Sequence, residues 1–192
     1  MSLADLAPGE RHRSAAAGLT QVVRQVADWD APTPVPQWRA RDVVDHLVTW
    51  FPGFLAGGGV SLPPVPPVEP DPVRAWEAHT AAVQELLDDP ARAGRTFEHP
   101  HVPPQSLAAT IDAFYTADVV MHTWDLARSA GIDVELDATY CTQLLEGMVG
   151  MEEVMRGSGQ YGPAVPVPAH ADPQTRLMGF IGRDPAWRPP TA

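Results

Sequence analysis

The chain has 192 residues, a formal net charge of −11 and an apolar fraction of 44%. This composition predicts a globular protein, and the length suits a single domain over residues 1–192. The acidic balance argues against a nucleic-acid binder and against a protein held on an anionic membrane surface, because both normally need a basic face. One cysteine excludes an internal disulfide, and neither a signal pattern nor a membrane-length apolar run is present, so we expect a cytoplasmic protein.

Apolar residues recur at helical spacing between three proline-rich stretches, and we find no hairpin signal and no useful strand alternation. One helix opens at Asp71-Pro72, where a capping aspartate precedes proline at the first helical position. Another stops at Gly131, as a helix with a C-terminal glycine would. The predicted helices cover 8–29, 40–55, a segment opening at 71, 105–130, a segment running from 137 to 155, and 172–182.

Four long amphipathic helices joined by proline-rich crossovers predict an all-α four-helix bundle with an additional short C-terminal helix. The core of this bundle covers about residues 8–156, and a C-terminal extension covers 157–192. The segment 90–104 is irregular, and a small extended piece is expected there at most.

The inward stripe of the fourth predicted helix changes from apolar to ionisable halfway along its length. A 3.6-residue period from Leu107 passes through 111 and 114, and then reaches Asp118, His122 and Asp125. In the second predicted helix, His46 also lies beside the inner stripe. Burying an unpartnered carboxylate is costly, so these side chains need partners or a metal ion.

Two interpretations of this stripe remain open from the residues alone. Asp118 and His122 are four residues apart and share one helix face, so a ligand from a facing helix would complete a set of two histidines and one carboxylate. Three protein ligands leave coordination positions open, which is typical of catalytic metal sites. In the other interpretation, His122 is a core histidine that is hydrogen-bonded to Asp118 or Asp125.

The remaining candidates are expected to be structural. Cys141 lies in an apolar helical pattern and is expected to be a small buried hydrophobic residue. His79 is expected on the surface in mid-helix, and His99 and His101 are expected to be solvated loop residues. Three methionines form a core or interface stripe, and two of the six tryptophans are able to wall a pocket: Met148, Met151, Met155, Trp50 and Trp124.

Three stretches of the sequence resemble one protein family. W-R-A-R-D-V-V-D-H-L-V-T-W (38–50) resembles the second-helix motif of DinB-like proteins, and more closely that of the mycothiol-dependent maleylpyruvate isomerase N-terminal family. D-V-V-M-H-T-W-D-L-A-R-S-A-G (118–131) is similar to the fourth-helix motif of that family. The tail, Y-G-P-A-V-P-V-P … R-L-M-G-F-I-G-R-D-P-A-W (161–187), is similar to a subgroup of short actinobacterial members.

The resemblance implies a DinB-type bundle that binds a divalent metal ion, usually zinc, with nickel, iron and manganese as alternatives. It places the metal ligands on His46, Asp118 and His122. Asp125 would orient a ligand histidine or hydrogen-bond a neighbouring helix. The implied partners are a small-molecule substrate and a low-molecular-weight thiol, mycothiol. Bundles of this type often pair, which leaves a homodimer as an alternative to a monomer.

Two features depart from the family pattern. The carboxylate ligand is typically glutamate, whereas Asp118 is one methylene shorter. Maleylpyruvate isomerase also has a C-terminal domain that contributes to substrate binding, and we expect 192 residues to leave no room for it.

The expected function is therefore a thiol-dependent transfer or isomerisation in which the metal activates the thiol, so that no protein cysteine is needed. The alternatives are a non-enzymatic metal- or ligand-binding bundle and a non-haem iron protein. Three arginines are candidates for positioning a substrate, and the sequence selects none of them: Arg39, Arg128 and Arg176.

Overall fold

A computed structural model describes residues 1–157 and 161–190, and most of this part of the chain is helical. The all-α class predicted from the sequence is confirmed. Residues 158–160 and 191–192 of the predicted C-terminal extension lie outside the described residues. The helices are α1 (Pro8–Val23), α2 (Ala40–Gly57), α3 (Pro72–Asp88), α4 (Pro90–Gly94), α5 (Leu107–Thr110, Ile111–Thr116 and Ala117–Ser129 in one continuous helix), α6 (Ala138–Met148), α7 (Glu152–Gly157) and α8 (Pro173–Phe180), with a 3-10 turn at Leu3–Asp5.

The four-helix bundle consists of α1, α2, α3 and α5. Helices α1 and α2 each pack against both α3 and α5, and the apolar stripes of all four helices meet in one core. The predicted start of α3 is correct, since the Asp71 carboxylate accepts a hydrogen bond from the Arg74 N–H and Pro72 occupies the first helical position.

Helix α1 ends at Val23, six residues before the predicted end at Trp29. The chain beyond it turns back so that the carbonyls of Ala31 and Trp29 accept hydrogen bonds from the N–H groups of Ala40 and Arg41. The first N–H groups of a helix have no partner within that helix. The residues before α2 therefore supply its missing acceptors and cannot continue α1.

An antiparallel hairpin, β1 (Thr96–His99) and β2 (Val102–Ser106), precedes α5 and was not predicted as such. Phe97 of β1 is buried against the end of α2, where a Cβ atom on Gly58 would collide with the Phe97 ring. The hairpin moves the start of α5 from 105 to Leu107, and the Ser106 side chain caps the helix by accepting the Ala109 N–H.

A π-helical turn, Ile111–Thr116, interrupts α5 and corrects the predicted inward stripe. A π turn contains one more residue than an α turn, so it shifts the face that each following side chain occupies. Tyr115 is fully buried, whereas Phe114, which the 3.6-residue period placed inside, is 37% exposed. Beyond the π turn, the helix brings Asp118 to the inner face of the bundle.

The C-terminal part of the chain packs against the bundle. Helix α6 lies against α8, and an extended segment, 161–168, follows α8 through the Val165 N–H to Gly179 carbonyl hydrogen bond of 2.8 Å. Gly182 has a positive φ of 86°, and a Cβ atom there would lie 2.7 Å from the Gly162 Cα. This close approach places the two flanking residues, Tyr161 and Arg183, over the polar end of α5.

The segment that was predicted to be one helix from 137 to 155 is divided. Helix α6 ends at Met148, Gly150 follows with a φ of 87°, and α7 then begins at Glu152. None of the described helices combines the length and the apolarity that a membrane span requires.

Candidate metal centre

The side chains of His46, Asp118 and His122 converge where α2 faces α5. Each offers one ligand atom, and the three atoms lie within 4.8 Å of one another. His46 Nε2 is 3.1 Å from one oxygen of the Asp118 carboxylate, and His122 Nε2 is 3.4 Å from the other. The i, i+4 spacing places Asp118 and His122 on one face of α5, and His46 comes from the facing helix.

These side chains line a pocket of about 400 Å³, a size that suits a small molecule. The bundle supplies one side of the pocket, and the C-terminal segment supplies the other. The other residues of the pocket are Val35, Pro36, Trp38, Trp50, Met121, Tyr161, Gly162, Pro163, Ile181, Gly182 and Arg183.

Asp125, one turn beyond His122, fixes the orientation of that imidazole ring. His122 Nδ1 lies 2.9 Å from Asp125 Oδ2, and a carboxylate that accepts the Nδ1 proton leaves the Nε2 lone pair directed at Asp118 and His46. This is the tautomer that a metal-binding histidine needs. The first of the two roles considered for Asp125 is therefore available in the structure.

Asp125 also holds the C-terminal segment, which is the second role considered for it. Arg183 donates from Nε to Asp125 Oδ1 at 3.0 Å and from Nη2 to Asp125 Oδ2 at 3.1 Å. Its Nη1 donates to the Ile181 carbonyl at 3.2 Å. Both members of this ion pair are buried, so each one compensates the charge of the other in a weakly polar environment.

The shorter carboxylate of Asp118 is held by a neighbouring tryptophan. Trp50 Nε1 donates to Asp118 Oδ2 at 3.0 Å, and the same oxygen faces His46. Burial raises the pKa of Asp118, but His122 and the hydrogen bonds from His46 and Trp50 lower it more, so the group is ionised. For His122, burial lowers the pKa. Asp118 and Asp125 have a larger, opposite effect, so the pKa of His122 lies above its ordinary value. The cluster therefore favours a positive charge between its carboxylates.

The donor set fits a divalent metal ion. Two imidazole nitrogens and one carboxylate oxygen are ligands that zinc accepts, and a three-residue set leaves positions for water or substrate. The hydrogen bond from His122 to Asp125 adds the supporting carboxylate that zinc-binding histidines commonly have.

Two tryptophans wall this cluster, and only one of them was predicted. Trp38 stacks on His122 with ring centroids 5.6 Å apart and an interplanar angle of 18°. Trp50 was predicted to line a pocket and does so. Trp124 does not, because it is buried in the bundle with the Arg128 guanidinium 5.2 Å from its ring.

The arginine of the site is one that the sequence reasoning missed. Arg183 lines the pocket, whereas Arg39, Arg128 and Arg176 do not. Arg39 pairs with Asp30 near the start of α2, and Arg128 pairs with Asp133. The available signal was the G-R-D-P stretch of the tail, which contains Arg183.

The other candidate residues lie outside the pocket. Cys141 is buried as predicted, and burial raises the pKa of its thiol to about 12. The prediction of His79 on the surface is wrong: it is fully buried on the inner face of α3 beside Trp76 and Val83, and its ring lies against the Tyr115 ring. His101 is exposed, whereas His99 is half-buried against the Phe54 ring.

Comparisons with known proteins give one family. A family model described as the mycothiol maleylpyruvate isomerase N-terminal domain matches residues 11–127. Two proteins of Mycobacterium tuberculosis, named uncharacterized protein MT0763 (strain CDC 1551 / Oshkosh) and uncharacterized protein Rv0738 (strain ATCC 25618 / H37Rv), are each 31% identical to this chain over 159 residues. The similarity covers 79% of this chain and 83% of each relative. No solved structure matches the chain.

Proposed function

Because the chain belongs to the mycothiol maleylpyruvate isomerase N-terminal domain family, we propose that it is a divalent-metal-dependent enzyme that uses a low-molecular-weight thiol. The proposed ligands are His46, Asp118 and His122. The observation that carries the proposal is the convergence of their three ligand atoms within 4.8 Å beside a pocket of about 400 Å³. Zinc is the proposed metal, with nickel, iron and manganese as alternatives.

A bound metal ion would supply positive charge that lowers the pKa of a thiol and makes it a nucleophile at neutral pH. The chain itself has its one thiol at Cys141, which is buried away from the pocket. The nucleophilic sulfur must therefore come from outside the chain, and the family name points to mycothiol.

The residues of the chain have separate tasks in this proposal. Asp125 keeps the Nε2 lone pair of His122 directed into the cluster, and Trp50 holds the Asp118 carboxylate. The rings of Trp38 and Trp50 cover the histidines and keep bulk water away from them. Arg183 fixes the tail beside the pocket.

The proposed reaction class is thiol-dependent transfer or isomerisation of an electrophilic small molecule. We propose in addition that residues 1–192 act as one domain, because Tyr161 and Arg183 of the tail complete a pocket that the bundle begins. A thiol cofactor of this kind needs a reducing compartment, which supports a cytoplasmic location.

Metal content tests the proposal directly. The full chain, purified without chelator or histidine tag, is expected to contain close to one divalent metal ion per chain by mass spectrometry. His122→Ala and Asp118→Ala should lose it, whereas His101→Ala, which removes an exposed imidazole, should retain it. A parent protein that stays metal-free after incubation with zinc, nickel, iron and manganese would refute the proposal.

Turnover separates the enzyme from a non-enzymatic metal-binding bundle. Purified protein is mixed with mycothiol and a panel of electrophiles, and thiol consumption and product are followed by mass spectrometry. Turnover that requires both metal and thiol, and that disappears in His122→Ala, supports the enzyme. A stoichiometric metal without any thiol-dependent turnover would favour the binding protein.

A further inference from the structure

A second cavity lies directly behind one wall of the metal pocket. It has a volume of about 420 Å³, and it shares Met121 and Tyr161 with the metal pocket. These two side chains therefore separate the two spaces. The second cavity, here called the methionine cavity, is lined by Arg11, Asp112, Ala113, Phe114, Ala117, Met121, Tyr140, Gln143, Leu144, Gly147, Met148, Met151, Met155 and Tyr161.

The methionine cavity is mainly apolar and adaptable. Four of the six methionines of the chain line it, and thioether side chains adjust to ligands of different shapes. Met151 is 49% exposed, and Phe114 is exposed because the π turn of α5 rotates it out of the core. Irregular turns of this kind often occur at functional sites, and this one places an aromatic ring at the mouth of the cavity.

One end of the methionine cavity is polar. Arg11 and Asp112 form an ion pair there, and the Arg11 guanidinium lies 5.3 Å from the Tyr140 ring. Asp112 Oδ1 is buried and has no hydrogen-bond partner among the described residues. The pKa of Asp112 is raised, because the effect of burial is larger than the opposite effect of Arg11. A buried carboxylate oxygen without a partner is costly, and a small rotation of the Asp112 side chain, which lines the cavity, would present this oxygen to an N–H or O–H group of a ligand.

We propose that the methionine cavity binds an apolar, uncharged small molecule that carries an N–H or O–H group, with its apolar body on the methionines and the polar group at Asp112. The volume and concave shape suit a small ligand better than a flat surface of a second copy of this chain. The shared wall of Met121 and Tyr161 places such a ligand next to the metal centre. Its role as the electrophilic co-substrate rests on the proposed function, whereas its binding does not.

Binding of N-phenyl-1-naphthylamine tests the site, because this dye is apolar, uncharged and carries one N–H group. Its fluorescence is followed as the full chain is titrated. We expect saturable binding that weakens about tenfold or more in Met151→Glu and in Phe114→Glu, since each adds a charge beside an apolar ligand. Val149→Glu is the matched control: Val149 is 61% exposed near Met151 but does not line the cavity, so this variant should bind as the parent does.

Folding and location are measured in the same proteins. Circular dichroism and the urea midpoint establish that each variant is folded. The spin relaxation of the dye protons then reports whether the dye lies near the metal centre. With Mn²⁺ bound to the parent protein, we expect this relaxation to be faster. His122→Ala should still bind the dye but should no longer show the faster relaxation. Dye binding without metal binding would refute the proposed function and leave this inference standing.

Two results would overturn the inference. One is a folded parent protein that does not bind the dye, or that binds it equally well in all three glutamate variants. The other is a dimer, seen by sedimentation, that Met151→Glu dissociates and that excludes the dye. The methionine cavity would then be a contact between two copies of the chain.

Discussion

Two groups of histidines lie inside the same bundle, and their surroundings differ. His46 and His122 face the Asp118 carboxylate and a pocket, and Asp125 supports His122 from behind. His12 and His79 lie deeper, around the Tyr115 ring, and contact hydroxyls and aromatic carbon instead of carboxylates. His122 is buried as His12 and His79 are, so burial alone does not mark a histidine as a candidate metal ligand.

The charge state of each group follows from its partners. Burial lowers the pKa of His12 to about 3, with a smaller contribution from His79, and burial lowers the pKa of His79 to about 4. Both imidazoles are therefore neutral. The two carboxylates beside His122 instead attract a positive charge, whether a proton or a metal ion. A candidate site is recognised by this convergence of opposite charges next to an open space.

The largest expected effect comes from removing the charge that supports His122. Asp125→Asn leaves the buried Arg183 guanidinium without its counter-charge, which should lower the free energy of unfolding by about 3–5 kcal/mol. The same change should weaken metal binding by about 10- to 100-fold, because the His122 tautomer is no longer fixed. Urea unfolding and competition with a metal chelator measure the two effects.

Asp133→Asn provides the matched control for this substitution. Asp133 pairs with Arg128, but its side chain is largely exposed, and exposed pairs contribute about 0–1 kcal/mol. If Asp125→Asn were no more destabilising than Asp133→Asn, the buried ion pair would not hold the tail over the pocket.

The neutral histidines predict a pH effect of defined sign. Their pKa values lie below the unfolded value of about 6.5, so the unfolded chain binds more protons and stability falls as the pH falls. This contribution is complete above pH ~6.5, and it is lost as the pH falls from ~6.5 to about 4 for His79 and to about 3 for His12. Each histidine should cost about 1.4 kcal/mol of unfolding free energy between pH ~7.5 and ~5.5.

Single variants separate this contribution from that of the candidate metal site. His79→Leu removes no hydrogen bond, because both His79 nitrogens have no partner among the described residues. Urea midpoints at the two pH values should show this variant gaining about 1.4 kcal/mol relative to the parent on acidification. His101→Leu, at an exposed position, should follow the parent. An equal pH dependence in the parent and in His79→Leu would show that His79 titrates freely in the folded protein.

The sequence predicted the first group of histidines far better than the second. The helical period and the family resemblance together located His46, Asp118 and His122, because local spacing on two helices determines which side chains share a face. His79 was placed on the wrong side because its sequence neighbours are acidic and small, whereas its burial depends on how α3 packs against Tyr115 of another helix. Packing between distant segments is not encoded in a local period.

The same limit explains what else the sequence missed. The bundle and its four long helices follow from amphipathic patterns, and they were predicted. The hairpin depends on pairing two short segments of which one contains two prolines, Pro103 and Pro104, so it gave no alternating pattern. Arg183 and Asp125 are 58 positions apart in the chain. They meet only because the tail turns back at Gly182.

A smaller effect is expected from the tryptophan that holds Asp118. Trp50→Phe removes the Nε1 donor at 3.0 Å and keeps an aromatic wall. The carboxylate then lacks one fixing hydrogen bond, and metal affinity should fall by about tenfold, at the low end for a supporting contact. Chelator competition measures this. Trp124→Phe is the control, since Trp124 lies outside the pocket and should leave metal affinity unchanged.

The smallest effect is expected at Cys141. Like His12 and His79, its thiol is an ionisable side chain that is buried without an opposite charge. Burial raises the pKa of this thiol to about 12, so on the order of one molecule in 10⁴ carries a thiolate at pH ~8. Iodoacetamide labelling of the folded protein, followed by intact mass, should therefore be negligible over an hour and complete in urea. Fast labelling of the folded chain would show an accessible internal thiol. The nucleophile of the proposed reaction would then no longer need to come from a separate molecule.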